Sequence, residues 1–238
     1  MGFGQLLYDS VFPPSFALKL KERQLLEQMY PNIDWEYVRC NYRMPWFMQH
    51  TFAIGTALPH SYSSQYLNIY IRTPNTMTTD QRLSILVHEA LHIQQYHELN
   101  SMGEKAKGWG FNRKFMHYYL GWYLQGLYQA LIKDRKRWKA ALQYAYWQHP
   151  MEITAYRQEK QFRQHINLYL ETPVPIFFKQ IPTLVCHQTA IPPTPSIFFY
   201  SLAALLSILI TIARPLIELL LLPIAFLLGG RKATNLSR

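Results

Sequence analysis

Residues 78–100 read Thr-Thr-Asp-Gln-Arg-Leu-Ser-Ile-Leu-Val-His-Glu-Ala-Leu-His-Ile-Gln-Gln-Tyr-His-Glu-Leu-Asn, and this stretch decides the fold. Thr78 followed by Gln81 has the form of a capping box, and Asp80 suits the positive end of a helix. The run Leu83-Ser84-Ile85-Leu86-Val87 supplies a face to bury. In the middle stands His88-Glu89-Ala90-Leu91-His92. Four residues apart on a helix, the two imidazoles share one face and can converge on one Zn²⁺. Glu89 lies beside them, placed to act on a water at that metal.

A catalytic zinc site needs three protein ligands and an open position for water. The remaining candidates are His97, His117, His149, Glu98 and Glu152. His97 and Glu98 follow His92 too closely and rotate off its face. Glu152 is the best choice. It opens a helix expected from Met151 to Tyr169, after Pro150, with its carboxylate in the first turn.

His88-Glu89-x-x-His92 with a downstream Glu152-x-x-Ala155 resembles the gluzincin arrangement of zinc metallopeptidases. More closely, it is similar to a group of bacterial HExxH domains whose second motif reads Pro-x-Glu-x-x-Ala-Tyr or -Asp. In those domains the strand before the motif helix ends in a segment like Ile69-Tyr70-Ile71. The likeness covers roughly residues 30 to 165. It implies a zincin-like fold with His88, His92 and Glu152 as ligands and Glu89 as general base. Two departures stand out: 60 residues lead from His92 to Glu152, and position 156 is Tyr where many gluzincins place an Asp that orients a zinc histidine.

Peptide hydrolysis also needs a donor to the oxyanion. Tyr156, one helical turn after Glu152, is one candidate, and His149, just before it, is the other. In zincin-like folds the strand before the motif helix often binds extended substrate by its edge. Here that strand is Tyr66 to Thr73, with Asn68 and Tyr70 as substrate-binding residues.

Around this centre, Tyr37–Arg43, Phe52–Leu58 and Tyr66–Thr73 read as strands, the last with Leu67, Ile69 and Ile71 alternating with Tyr66, Asn68 and Tyr70. Helices are predicted at Ser15–Tyr30, Phe111–Asp134 and Lys136–Trp147, the last two dense in aromatics read as core. Strands first and helices after make an α+β domain over residues 1–171. Residues 172–196 carry six prolines and read as an extended connector. From Ile197 to Ala213 there are 17 residues without a charge, and a second apolar stretch follows Arg214-Pro215. Residues 197–230 are therefore expected to associate with a membrane, as a span or a re-entrant hairpin, ahead of a basic polar tail at 231–238.

The chain has 238 residues and a formal charge of +10. With 49% hydrophobic residues it can form a packed core, which excludes wholesale disorder. Two cysteines, Cys40 and Cys186, exclude a disulfide framework and a Cys-based zinc finger. The N-terminus lacks the pattern of a signal peptide, so the catalytic domain is expected on the cytoplasmic face. The basic cluster Lys133-Asp134-Arg135-Lys136-Arg137 fits solvent or anionic lipid, and no nucleic-acid-reading motif accompanies it. The expected function is a membrane-associated zinc metallopeptidase acting on a peptide or protein substrate. The alternative is a non-catalytic module that uses the same scaffold to bind a protein partner at the membrane, with zinc structural or absent.

Overall fold

A computed structural model of the protein describes residues 16–41, 44, 54–59, 67–72, 77–100, 113–189 and 191–209. Four short strands form one sheet: β1 (Phe16–Ala17), β2 (Val38–Asn41), β3 (Gly55–Pro59) and β4 (Leu67–Ile71). Their order is β1-β2-β4-β3, with β2 parallel to β4 and the outer pairs antiparallel. Helix α1 (Leu20–Met29) connects β1 to β2, and α2 (Thr79–Asn100) follows β4. Then come α3 (Arg113–Tyr128), a π-helical turn at Gln129–Lys133, α4 (Trp138–Trp147), α5 (Pro150–Gln164), α6 (Ile166–Glu171) and α7 (Val174–Gln180). Residues 197–209 form a further helix, α8. The architecture is α+β with a mixed sheet.

The start of α2 is set locally. Thr78 N donates to Gln81 Oε1 at 3.0 Å, and Gln81 N donates back to Thr78 Oγ1 at 3.3 Å, a reciprocal capping box. Tertiary contacts then fix the helix in place. Arg82 pairs with the buried Glu22 of α1. Tyr30 donates its hydroxyl to the carbonyl of Val87, one residue before the motif, at 3.2 Å. Leu83, Leu86, Val87, Ala90 and Leu91 sit in a core shared with Ile69 and Ile71 of β4. Period two puts Val38, Cys40, Leu67, Ile69 and Ile71 on that same sheet face.

The sheet order corrects one expectation. The strand at 66–73 offers no free edge: β4 is bonded to β2 on one side and to β3 on the other. The parallel crossover from β2 reaches past β3, a topology that strand periodicity alone does not encode. Among the described residues, the strand at the sheet's end next to β4 is β3.

The proline-rich segment is also not an extended connector throughout. Pro173 caps α7 and Pro175 lies in its first turn, where a missing N–H costs nothing. Val174, Phe177 and Phe178 are buried, as is Leu184 in a following 3₁₀ turn. Thr189 donates its backbone N to Glu98 of α2 at 2.7 Å. The packed domain therefore runs past residue 171, and among the described residues of this segment 185–189 and 191–196 lie outside helix and strand. The expected final helix bends at His165, giving α5 and α6.

Of the expected membrane segment, residues 197–209 are described, and 210–230 lie outside the described residues with the tail at 231–238. Residues 1–15, on which the leader expectation rests, lie outside them too. Among the described residues, no helix is long and apolar enough to cross a membrane.

Candidate metal centre

α2 presents His88 and His92 one turn apart, and α5 packs along α2 to bring Glu152 against both. His149 starts α5 by accepting the Met151 N–H on Nδ1 at 3.2 Å, and Pro150 occupies the first helical position. Glu152 thus stands in the first turn, facing the motif. His88 Nε2 lies 3.2 Å from Glu152 Oε2, and His92 Nε2 lies 3.2 Å from Glu152 Oε1. All three residues are buried, and one ligand atom from each falls within 4.8 Å of the others. Three atoms held about 2.0–2.1 Å from a tetrahedral cation sit about 3.3 Å from one another, so the cluster has the dimensions of a metal site.

The outer nitrogens of both imidazoles are engaged. His88 Nδ1 donates to Glu159 Oε2 at 3.2 Å, and His92 Nδ1 donates to Gln95 Oε1 at 2.9 Å. Gln95 is itself held by its Nε2, which donates to the Met151 carbonyl at 3.3 Å. With each Nδ1–H held by these partners, Nε2 is the nitrogen of each ring that faces the common centre and would ligate a cation once its proton is lost. Glu159, two turns beyond Glu152 on α5, provides the carboxylate partner of His88 that Tyr156 does not. We expect Glu159→Gln to weaken metal affinity about 10- to 100-fold, read by competition titration against a chelator, with the far-ultraviolet spectrum unchanged.

The electrostatics follow from burying these charges together. Burial alone would lower the His88 pKa, but its hydrogen bonds to Glu152 and Glu159 outweigh that and raise it to about 10. Burial alone would raise Glu152, yet the two imidazoles hold it well below the usual carboxylate range. The shifts favour charged imidazole facing charged carboxylate, so a metal taken up here would displace protons. Glu89 behaves differently: burial pushes its carboxyl up to about 7, against the pull of His88 and His92. A base poised near neutrality suits proton transfer.

Gly55, at the start of β3, approaches this base closely. A Cβ built there would fall 2.4 Å from Glu89 Oε1 and 2.8 Å from Ile85 Cγ2. Only a residue without a side chain leaves the Glu89 carboxylate its place. This is a close-approach glycine, and it puts the end strand of the sheet next to the Glu89 carboxylate.

Three tyrosines surround Glu152. Tyr119 of α3 donates its hydroxyl to Glu152 Oε1 at 2.6 Å. The Tyr146 and Tyr156 hydroxyls are 3.2 Å apart, and the Tyr156 ring stands edge-on to His88 with centroids 4.5 Å apart. Tyr156 is thus beside the centre, as its spacing from Glu152 implied. His149 is not available as a proton donor there. Its Nδ1 caps α5, and its Nε2 donates to the Tyr119 carbonyl at 2.8 Å. Burial lowers its pKa to about 4, keeping it neutral. Its place is structural, tying α3 to the start of α5.

Asn68 and Tyr70 do not line an open edge. Both are buried on the central strand, on the sheet face opposite the apolar core. Neither the Oδ1 nor the Nδ2 of Asn68 has a hydrogen-bond partner among the described residues.

No family model, curated protein or solved structure matches the chain. The likeness to HExxH domains therefore rests on the motif residues and on the buried cluster they form.

Residues that sequence reasoning passed over fall into two kinds. Gln95, three residues after His92, and Glu159, seven after Glu152, carried a legible signal, since both spacings return to the ligand's own helical face. Tyr119 and Tyr146 carried none. They reach Glu152 only because α3 and α4 fold back as a hairpin, brought close where Gly126 faces Ala145.

Proposed function

We propose that the protein is a zinc-dependent metallopeptidase with His88, His92 and Glu152 as ligands and Glu89 as general base. The observation that carries this reading is the placing of a base beside a metal-sized cluster and beside the strand at the end of the sheet. Two histidines and a carboxylate are a donor set suited to zinc, and three ligands leave a fourth position for water or substrate. Zinc held by these three residues would supply Lewis acidity toward a carbonyl oxygen and toward water.

The chain's own groups do the rest. Glu89 takes a proton from the attacking water and delivers it to the departing amine. Tyr156, whose ring packs on His88, donates its hydroxyl to the developing oxyanion, while Tyr119 holds the Glu152 carboxylate. β3, not β4, receives the extended substrate alongside Glu89. The barrier to water is the enclosing set of helices, which leaves the motif residues almost wholly buried.

Gly55→Val tests the link between strand and base. The branched side chain displaces the Glu89 carboxylate and presses on the end of the Ile85 side chain, so a thermal melt alongside the assay separates loss of positioning from loss of fold. We expect zinc content equal to wild type and peptide cleavage reduced on the order of 100-fold, within the usual worth of a positioned base. Undiminished cleavage of a peptide library by this variant would remove Glu89 from its role.

A further inference from the structure

We propose that the outward face of α8 and the basic tip joining α3 to α4 together form a docking surface for an anionic lipid bilayer, with α8 lying in the plane of the interface. The surface is separate from the metal centre and does not depend on that reading.

α8 is a helix of 13 residues without one charged side chain. Its inner side packs on α3: Ala203 is fully buried, His117 meets Ser207 at 2.8 Å, and the Tyr118 and Tyr200 rings are in edge contact. Its outer side is largely apolar, with Ser201 among its exposed residues, and is left open to solvent among the described residues. Ile197 is 84% exposed, Phe198 67%, Leu205 55%, Ile208 47% and Leu209 52%. The spacing of these residues makes one stripe along the helix. A continuous stripe of this kind marks an interaction surface, whereas scattered exposed apolar residues do not.

What covers it is indicated by charge. The Phe199 ring contacts Tyr128 at the end of α3, and Tyr128 leads into the tip, where Ile132 and Trp138 are each 61% exposed. Between 133 and 139 the chain places five basic residues and one acidic one. Lys133, Arg137 and Lys139 are exposed, and Arg135 is held at a φ of 51°, a left-handed backbone that glycine would adopt with less strain. Cations rimming exposed aromatic and aliphatic side chains, with a tryptophan at the boundary, suit a headgroup layer over an acyl region. A protein groove would need no such cationic rim. In the sequence, the uncharged run that includes α8 continues to Ala213.

The test uses the full chain with vesicles of phosphatidylcholine, with and without phosphatidylglycerol, and with brominated acyl chains. Wild type is expected to prefer the anionic vesicles and to lose that preference in high salt. Replacing Lys133, Arg137 and Lys139 together with Gln should lower partitioning on the order of 100-fold, at about fivefold for each cation near the surface. Phe198→Gln with Leu205→Gln should lower it on neutral and anionic vesicles alike. All five positions are exposed, so the variants should fold. Brominated lipid should quench Trp138, read as the difference between wild type and Trp138→Phe. This last arm separates docking of the tip from anchoring by other parts of the chain. Vesicle binding with Trp138 unquenched, partitioning unchanged in both variants, or equal binding to an RNA duplex with none to vesicles would each overturn the proposal.

Discussion

The Glu89→Gln protein is expected to bind one zinc per chain and to cleave peptides at least about 1,000-fold more slowly than wild type, near the upper range for a lost general base. The amide keeps the shape and burial of the carboxylate, so the helix and its ligands are undisturbed. It cannot accept the proton that Glu89, pushed up to about 7 by burial, is poised to take. The measurement is a peptide-library digestion of both proteins with metal content determined on the same samples. Equal and negligible cleavage by both would instead favour a module that binds a partner on this scaffold. Equal and substantial cleavage would locate the base elsewhere.

The second large effect concerns the domain's extent. Phe177→Ala is expected to destabilise the protein by about 3–5 kcal/mol, the usual cost of truncating a buried phenylalanine. Phe177 is fully buried, with its ring centroid 5.5 Å from Tyr169, 6.4 Å from Phe162 and 5.1 Å from Phe178. Its neighbour Ile176 is 46% exposed, and Ile176→Ala should cost less than about 1 kcal/mol. Urea unfolding of the two variants separates a packed segment from a connector. A connector would make both substitutions nearly silent.

How much of this could be read without coordinates depends on the range of the interactions involved. The capping box of Thr78 and Gln81, the common face of His88 and His92, and the start of α5 at Pro150 are local, and each is present as expected. The three strands also fall close to their expected ranges. The sheet order was not legible, because β4 lies between β2 and β3 through pairings between residues distant in sequence. The segment after Thr172 misled for a different reason. Proline density opposes helix interiors but not first turns, and α7 uses Pro173 and Pro175 at its start. At the candidate metal centre, the two clustered histidines and Glu89 came from one motif. The tyrosines around Glu152 came from the folding back of α3 on α4, which no spacing within either helix announces.

The central claim is that His88, His92 and Glu152 hold a zinc ion. Its most direct test is metal content by elemental analysis on natively purified wild type beside the His92→Ala and Glu152→Ala proteins, with thermal melts to confirm folding. One zinc per wild-type chain is expected, falling to a small fraction in each folded variant. Wild type that carries no zinc and takes none up at neutral pH, or variants that retain it in full, would contradict the assignment.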